Sequence, residues 1–192
     1  FAISDTICKP FDKDRKGISM GEGAGSVFIS NNKSIYKEKP LQLLAGVSTN
    51  DANHISGPSR TGEGLYRAIK KTQEKNNIKT KDIDFISAHG TATNYNDEME
   101  SIAFSRLEML DIPLNSLKGY YGHTLGAAGM IESIISMQSI RKNTLIQSLG
   151  YNNQGTTHKL NILKENKKQT INCILKTASG FGGCNAALII KK

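Results

Sequence analysis

Two histidines, His89 and His123, are the residues whose positions point most directly to chemistry. His89 follows a short apolar run at residues 84–88 that predicts a β-strand. Open α/β sheets bind ligands just beyond the carboxyl ends of their strands, so a histidine at this point is a candidate functional group. A loop histidine that only satisfies its own hydrogen bonds is the alternative, and position alone leaves both interpretations open.

His123 immediately precedes an apolar segment at residues 124–141, which predicts a helix buried on most sides. The positive end of a helix disfavours an imidazolium ion. A neutral imidazole can donate one N–H to an oxygen that is gaining negative charge, as in an enolate or a thioester oxyanion. Two such histidines would form an enolate-stabilising pair.

Four polar residues and one aromatic residue join the candidate set, and Asp97 and Glu100 are supporting candidates. Glu132 lies inside the predicted apolar helix, where a buried carboxylate needs a cation, and Lys118 is the obvious candidate. Thr91 and Thr93 offer hydroxyl groups on one side of an extended segment, although such pairs also form turns. Phe181 stands among glycines, in a loop that can present a backbone N–H and a mobile ring or be simply a glycine-rich turn.

Hydrophobic periodicity predicts helices that alternate with strands, followed by a run of strands near the end of the chain. This order favours an α/β fold in which helices cover a mixed sheet. Asp97 and Glu100 have the spacing of a capping box at the start of one predicted helix. The predicted strands are 23–30, 41–49, 84–88, 157–163, 170–178 and 186–191, and the predicted helices are 61–76, 97–110 and 124–141.

Composition narrows the class of protein. The chain has 192 residues, 38% apolar and 22% charged, which favours a single domain over residues 1–192, and no apolar run approaches the ~20 residues of a membrane span. Cys8, Cys173 and Cys184 lack metal-binding spacing, which favours a reducing cytoplasm and predicts no metal site. The glycine-rich stretch 21–25 precedes a predicted strand, so it does not fit a dinucleotide site. The chain begins without Met, which suggests a cut within a longer protein.

The formal net charge of +8 fits nucleic acid, a membrane surface or an acidic protein as a partner. The lysines are scattered and few aromatic residues accompany them, which is more typical of a solvated surface than of a nucleic-acid groove. We therefore expect neither a nucleic-acid nor a membrane partner, and the charge alone does not identify another. A basic nucleic-acid-binding module stays open as an alternative.

Taken together, these segments resemble the β-ketoacyl synthases, the condensing enzymes of fatty-acid and polyketide assembly, in their order and approximate spacing over nearly the whole chain. The resemblance implies a thiolase-like fold of two similar halves, each a five-stranded sheet with helices packed on it, of which this chain would be the second. The segments that carry it are Lys9-Pro10-Phe11-Asp12-Lys13-Asp14-Arg15, Gly21-Glu22-Gly23-Ala24-Gly25, His89-Gly90-Thr91-Ala92-Thr93 with Asp97 and Glu100, Lys118 with Gly122-His123, Leu125-Gly126-Ala127-Ala128-Gly129 with Glu132, and Gly180-Phe181-Gly182-Gly183 with Asn185.

The resemblance also implies a reaction. It is the decarboxylative Claisen condensation of an acyl thioester with a malonyl group carried on acyl carrier protein. No cofactor is implied beyond the phosphopantetheine arm of that carrier, to which Thr91 and Thr93 would hydrogen-bond. The parent protein would be a homodimer or a heterodimer.

Roles for the remaining residues follow from the same resemblance. His89 and His123 would assist decarboxylation and stabilise the enolate oxygen, and Lys118 and Glu132 would hold that pair in place. Phe181 would be the gating phenylalanine whose backbone N–H helps to form the oxyanion hole.

The cysteine nucleophile does not carry over to this chain. In the family it lies in the first half, at the start of a buried helix where the dipole favours thiolate, and none of the three cysteines here has that setting. We therefore expect this chain alone to be inactive. A non-catalytic, chain-length-factor-like partner of a ketosynthase is the alternative, although the presence of His89, Lys118 and His123 speaks against it. The residue at the upstream nucleophile position would decide between the two.

Overall fold

A β-sheet forms the centre of the molecule. In the computed structural model, which describes residues 3–55 and 57–192, the strands are β1 (Gln42–Leu43), β2 (Val47–Asn50), β3 (Phe85–Ser87), β4 (Leu114–Asn115), β5 (Thr144–Leu145), β6 (Lys167–Lys168), β7 (Cys173–Ser179) and β8 (Cys184–Lys191). The main sheet has the order β1, β8, β7, β3, β4, and β2 also pairs with β8. Strands β5 and β6 form a separate two-stranded ladder.

Strand directions make the main sheet mixed. Strand β3 runs parallel to β4 and β7, whereas β8 is antiparallel to β7 and to the two short strands β1 and β2. Because β1 and β2 pair in turn with the same edge of β8, the sheet has five strand positions. The predicted α/β fold with a five-stranded mixed sheet is confirmed, and the predicted strand 41–49 is present in two pieces.

Helices cover both faces of this sheet. They are α1 (Glu63–Asn76), α2 (Asn94–Arg106), α3 (Lys118–Tyr121) and α4 (Ala128–Lys142), with short 3-10 turns at Lys33–Ile35, Thr80–Asp82, Leu125–Ala127 and Phe181–Gly183. Helices α1 and α2 pack on one face and α4 packs on the other. Side chains along β7 alternate accordingly, since Leu175 lies in the core beneath α1 and α2 while Ile174 lies in the core beneath α4.

The elements with the clearest sequence pattern form as predicted. Leu65, Ala68 and Ile69 recur at helical spacing on α1 and are fully buried, whereas charged residues lie on its exposed side. The predicted helix 61–76 and the predicted strands 84–88, 170–178 and 186–191 correspond to α1, β3, β7 and β8.

Two predicted strands are wrong. Residues 23–30 form neither strand nor helix, and Phe28 and Ile29 are 76% and 65% exposed. Residues 157–163 contribute one isolated bridge, to β4. A β-branched run becomes a strand when a second strand lies alongside to pair its backbone groups. Within the described part of the chain, residues 23–30 have no such neighbour.

Helix α4 differs from its prediction in start and in burial. It begins at Ala128, after a 3-10 turn, and not at residue 124. Met130 is 41% exposed, whereas the buried positions include Glu132 and three serines. Ile131, Ile134 and Ile135 are only partly buried. The N-terminal segment lies against α4 at Gly23, where an added Cβ would lie 2.8 Å from Cδ1 of Ile131.

Helix α2 begins earlier than predicted, at Asn94. Its N-cap residue is Thr93, whose hydroxyl accepts a hydrogen bond from the N–H of Asn96. The predicted capping box of Asp97 and Glu100 is wrong, because both carboxylates are fully buried and bind backbone groups outside the helix.

Candidate active site

The polar residues singled out in the sequence meet at one edge of the sheet. Because β3, β4 and β7 are parallel, their carboxyl ends lie side by side, with His89, Lys118 and Phe181 shortly after each of them in turn. His123 comes to the same edge from the loop before α4. Its backbone N–H donates to the carbonyl oxygen of Ser19 at 2.7 Å, so the N-terminal segment holds it in place.

The two imidazole rings stand edge to face. The ring centroids of His89 and His123 are 5.1 Å apart and the ring planes are at 80°. Nδ1 of His89 lies 3.4 Å from the Lys118 ammonium, which has only donors, so Nδ1 accepts and the proton is on Nε2. Nδ1 of His123 accepts from the N–H of Leu125 at 3.0 Å, which places its proton on Nε2 as well. Both neutral rings therefore carry an Nε2–H donor.

Burial keeps both imidazoles neutral. Desolvation, followed by the charges of Lys118, His123 and Lys176, holds the pKa of His89 well below its ordinary value. Desolvation and the charge of Lys118 lower the pKa of His123 to about 4, although Glu132 acts in the opposite direction. The neutral state was predicted, but the cause was not. His123 is separated from the start of α4 by a 3-10 turn, so burial and nearby cations are responsible rather than the helix end.

Lys118 and Glu132 form the predicted ion pair. Lys118 Nζ lies 2.6 Å from Oε1 of Glu132, and neither side chain is exposed to solvent. The same ammonium donates to the carbonyl oxygen of His89. Burial acts to raise the pKa of Glu132, but the ammonium groups of Lys176 and Lys118 outweigh it and hold that pKa below its ordinary value. Lys118 thus joins the helix carboxylate to the backbone and ring of His89.

Asp97 and Glu100 hold the loop that carries His89. Oε1 and Oε2 of Glu100 accept from the N–H groups of His89 at 2.9 Å and Gly90 at 2.6 Å, and Oδ1 of Asp97 accepts from the N–H of Thr91 at 2.9 Å. Burial raises the pKa of Glu100 and raises that of Asp97 to about 6. Three successive amides are therefore fixed by carboxylates from α2.

Gly90 is required by the shape of this loop. Its φ is +41°, in the region that favours glycine, and an added Cβ would lie 2.5 Å from Cβ of Ser116. Ser116 Oγ donates to the carbonyl oxygen of Gly90 at 2.7 Å. The sequence interpretation did not identify Ser116, which carries no local signal for this contact.

The threonines and the phenylalanine lie at the same edge with different exposure. The hydroxyl oxygens of Thr91 and Thr93 are 2.8 Å apart, and Thr91 is buried. The side chain of Phe181 is 55% exposed, and its loop is anchored by a hydrogen bond from Asn50 Nδ2 to the carbonyl oxygen of Gly182 at 2.8 Å. The structure brings the histidines, Lys118 and Glu132 together, whereas Phe181 lies at the surface of the same edge.

Lys176 is the functional candidate that sequence reasoning missed. It lies within β7, is 3% exposed, and places Nζ 2.6 Å from Oε2 of Glu132. The available signal was a single charge inside the apolar strand run 173–178. A charge in such a run marks either an outward-facing position or a buried ion pair, and the run alone does not separate them.

Two of the three cysteines are buried thiols. Burial raises the pKa of Cys8 to about 11 and that of Cys173 to about 11, while Cys184 is exposed at the start of β8. Among residues 3–55 and 57–192, no group of three or more His, Cys, Asp and Glu side chains is placed to hold a metal ion. No helix in these same ranges has the length and apolar character to cross a membrane.

Comparison with known proteins identifies the family. Residues 42–152 match the model of the beta-ketoacyl synthase C-terminal domain. The 3-oxoacyl-[acyl-carrier-protein] synthase 2 of Rhizobium meliloti (strain 1021) is 37% identical over 195 residues, which cover 96% of this chain and 45% of the relative. The chain thus spans about half the length of this curated relative.

Solved structures agree with this result. The ishigamide ketosynthase/chain length factor matches all of this chain and 48% of its own with a TM-score of 0.90 at 27% identity. A ketosynthase in complex with its type II polyketide acyl-carrier protein, bound to the hexaketide, matches 96% of this chain and 47% of its own with a TM-score of 0.84 at 26% identity. The fold is thus that of one thiolase-like half, and the chain belongs to the β-ketoacyl synthases, as their C-terminal half.

Proposed function

We propose that the complete protein, meaning this chain joined to a preceding half, is a 3-oxoacyl-[acyl-carrier-protein] synthase of fatty-acid or polyketide biosynthesis. The observation that carries this proposal is the pair of neutral imidazoles, whose ring centroids are 5.1 Å apart. Each ring accepts a hydrogen bond at Nδ1, which leaves the proton on Nε2 as a donor. Two neutral donors at one largely desolvated site suit an oxygen that becomes negative during the reaction.

The reaction proceeds in two steps, decarboxylation and then condensation. The bond between the malonyl carboxylate and its α-carbon breaks, carbon dioxide leaves, and the electron pair forms an enolate whose oxygen accepts from Nε2–H of His89 and His123. The enolate carbon then attacks the acyl thioester carbon, a carbon–carbon bond forms, and the thiolate of the acyl-bearing cysteine leaves. That cysteine belongs to the preceding half.

The other site residues support these steps. Lys118 and Glu132 hold the histidine pair, and both are buried in direct contact with each other. Phe181 gates the site, and its backbone N–H contributes to the oxyanion hole. Thr91 and Thr93 hydrogen-bond the phosphopantetheine arm of the substrate. Asp97 and Glu100 fix the loop of residues 89–91.

Partners follow from the same assignment. The substrates are acyl and malonyl thioesters on acyl carrier protein, and the net charge of +8 complements an acidic carrier. One structural relative is a ketosynthase in complex with its acyl-carrier protein and another is a ketosynthase/chain length factor. We therefore propose acyl carrier protein and a second ketosynthase-type subunit, identical or not, as partners, without a resident cofactor and in the cytoplasm.

The test uses the complete protein with malonyl- and acyl-carrier protein. Carbon dioxide release and 3-oxoacyl product are measured for the parent protein, for His89→Ala and His123→Ala, and for His158→Ala, whose side chain lies outside the site, as control. Loss of one enolate donor should lower the rate by roughly 10²–10³-fold. A parent protein that releases no carbon dioxide, or histidine variants as active as the control, would contradict the proposed function.

A second candidate, a non-catalytic chain-length-factor-like subunit, is favoured by the structural likeness to a ketosynthase/chain length factor. The same test discriminates, together with the residue at the nucleophile position of the preceding half. Cysteine there supports the enzyme, whereas Gln supports the partner subunit. The intact His89, Lys118 and His123 favour the enzyme.

A further inference from the structure

Lys176 occupies a position where a charge is costly. It lies in β7 between β3 and β8, opposite Ser87 and Leu188, and is 3% exposed. An ammonium group in such a place loses its hydration and is stable only with well-placed partners. The identity of those partners indicates what the charge does.

Lys176 shares one carboxylate with Lys118. Its Nζ lies 2.6 Å from Oε2 of Glu132, as an ion pair without hydrogen-bond alignment, while Lys118 Nζ lies 2.6 Å from Oε1. Each oxygen of Glu132 therefore faces a different cation. One carboxylate thus serves two ammonium groups, and the remaining anionic partner that both lysines share by charge is Glu100 of α2.

Lys176 also holds the backbone that leads to His89. Its Nζ donates to the carbonyl oxygens of Ser87 at 3.2 Å, Ala88 at 3.4 Å and Thr177 at 2.6 Å. Lys118 donates to the next carbonyl along, that of His89 itself. Two ammonium groups therefore bind three successive carbonyl oxygens, residues 87–89, at the point where β3 ends and the site begins.

We propose that Lys176 is a positioning residue for the histidine pair: it fixes the strand end that carries His89 and shares the Glu132 carboxylate with Lys118. This inference rests on the proposed function for its effect on rate. Its effect on the histidines themselves does not depend on that function, because it follows from the contacts and charges alone.

The electrostatic consequence has a definite sign. Removing a cation makes protonation of a nearby imidazole easier, so the pKa of each histidine should rise. Lys176 lowers the pKa of both rings, and burial and Lys118 have larger effects in the same direction. The charged groups around the pair are Lys118 from α3, Glu132 from α4, Lys176 from β7, and Asp97 and Glu100 from α2.

The experiment compares three variants of the complete protein. Lys176→Met removes charge and hydrogen bonds, and Lys176→Gln removes the charge while an amide N–H can still donate to a carbonyl oxygen. Lys191→Met, on β8 at the far end of the same hairpin, is the control. The pKa of each histidine is measured by NMR titration with labelled histidine, and malonyl decarboxylation is measured in parallel.

We expect both Lys176 variants to raise the pKa of His123 from about 4 toward 6.5. Lys176→Met should lower decarboxylation by about 10-fold to 100-fold, because small displacements of a reacting group have effects of that size, and Lys176→Gln should lower it less. A lysine that acted through its charge alone would give the same rate in both variants, because both lack the ammonium group.

The outcomes are separable. Unchanged histidine pKa values in a folded Lys176→Gln or Lys176→Met variant overturn the inference, whatever the activity. Failure of both Lys176 variants to fold while the control folds also overturns it, because Lys176 would then be a stability residue. An inactive parent protein whose histidine pKa values nevertheless rise in the variants contradicts the proposed function and leaves the inference intact.

Discussion

The sheet with its helices, from Gln42 onward, differs from residues 3–41 in how it buries apolar surface. The first region, from Gln42 onward, packs apolar side chains on both faces of its sheet and buries the ion pairs of the candidate site. The second region, residues 3–41, has one 3-10 turn and no strand, and its large apolar side chains are mostly exposed. Those at least 40% exposed in this segment are Ile3, Ile7, Met20, Phe28, Ile29 and Ile35.

The N-terminal segment nevertheless contacts the rest of the chain through a few buried residues. Phe11 is 1% exposed in the main core, and its N–H donates to Oδ2 of Asp97 at 2.6 Å. The side chain of Asp12 accepts from the N–H groups of Asn152 and Asn153. A segment that is fixed on one side and apolar on the other is suited to lie between two bodies. We expect the preceding half of the complete protein to cover its open side.

The largest effect should come from the buried charges of the first region. Glu132→Ala leaves two buried ammonium groups without their shared anion, and breaking a buried ion pair in this way destabilises by about 3–5 kcal/mol. Urea unfolding followed by circular dichroism measures the change. Glu74→Ala, exposed on α1, is the control and should stay within about 0.5 kcal/mol. Equal effects in the two variants would mean that the first region does not depend on its buried charges.

The second prediction compares two phenylalanines of the N-terminal segment. Phe11→Ala opens a cavity in the core and should lower the free energy of unfolding by about 3 kcal/mol. Phe28→Ala, at a side chain that is 76% exposed, should change it by less than about 0.5 kcal/mol when the 192-residue chain is unfolded alone. In the complete protein Phe28→Ala should become destabilising if the preceding half covers it. The same small effect in both proteins would show that Phe28 is not covered.

The third prediction concerns acid. His123 has a folded-state pKa of about 4 against 6.5 for the free side chain, so the unfolded state binds more protons between those values. Stability should therefore fall as the pH falls from 6.5 toward 4, with uptake of about one proton by this histidine on unfolding near pH 5. Unfolding of the parent protein and of His123→Gln at a series of pH values tests this. The glutamine variant should show a shallower fall, and parallel curves would contradict the assignment.

The smallest effect should come from the threonine pair. Thr91→Val removes one hydroxyl from the 2.8 Å contact with Thr93 and should destabilise by about 1 kcal/mol. If these hydroxyls also bind the pantetheine arm, the KM for malonyl-carrier protein should rise in the complete protein while kcat changes less. Thr157→Val, at an exposed position, is the control. A rise in KM in the control as well would remove the assignment to the pair.

The elements that could be predicted from the sequence are those whose residue pattern is local. Helix α1 and strand β3 were predictable because their periodicity and apolar runs lie within a few residues. The pairing of Lys118 with Glu132 was predictable because a carboxylate in an apolar helix needs a cation. The four-residue helix α3 was missed, since a segment that short has no amphipathic period.

What depends on distant partners was not predictable. Residues 23–30 have strand composition but lack a neighbouring strand in the described chain. Asp97 and Glu100 were expected to cap their own helix, and instead bind backbone groups as far away in sequence as Phe11. Lys176 was overlooked because its anion, Glu132, lies on a different element. The misses at Asp97, Glu100 and Lys176 are contacts whose second member lies on another element.

The carboxylates that bind the N–H groups of His89, Gly90 and Thr91 also control how fast these amide protons exchange with solvent. These amide protons are bonded to side chains of α2 and not to another strand, so exchange requires that α2 move away from the sheet. Their exchange rates therefore report the undocking of a helix, although the amides themselves belong to a loop. Hydrogen exchange at these three positions would measure how often the site loses its shape.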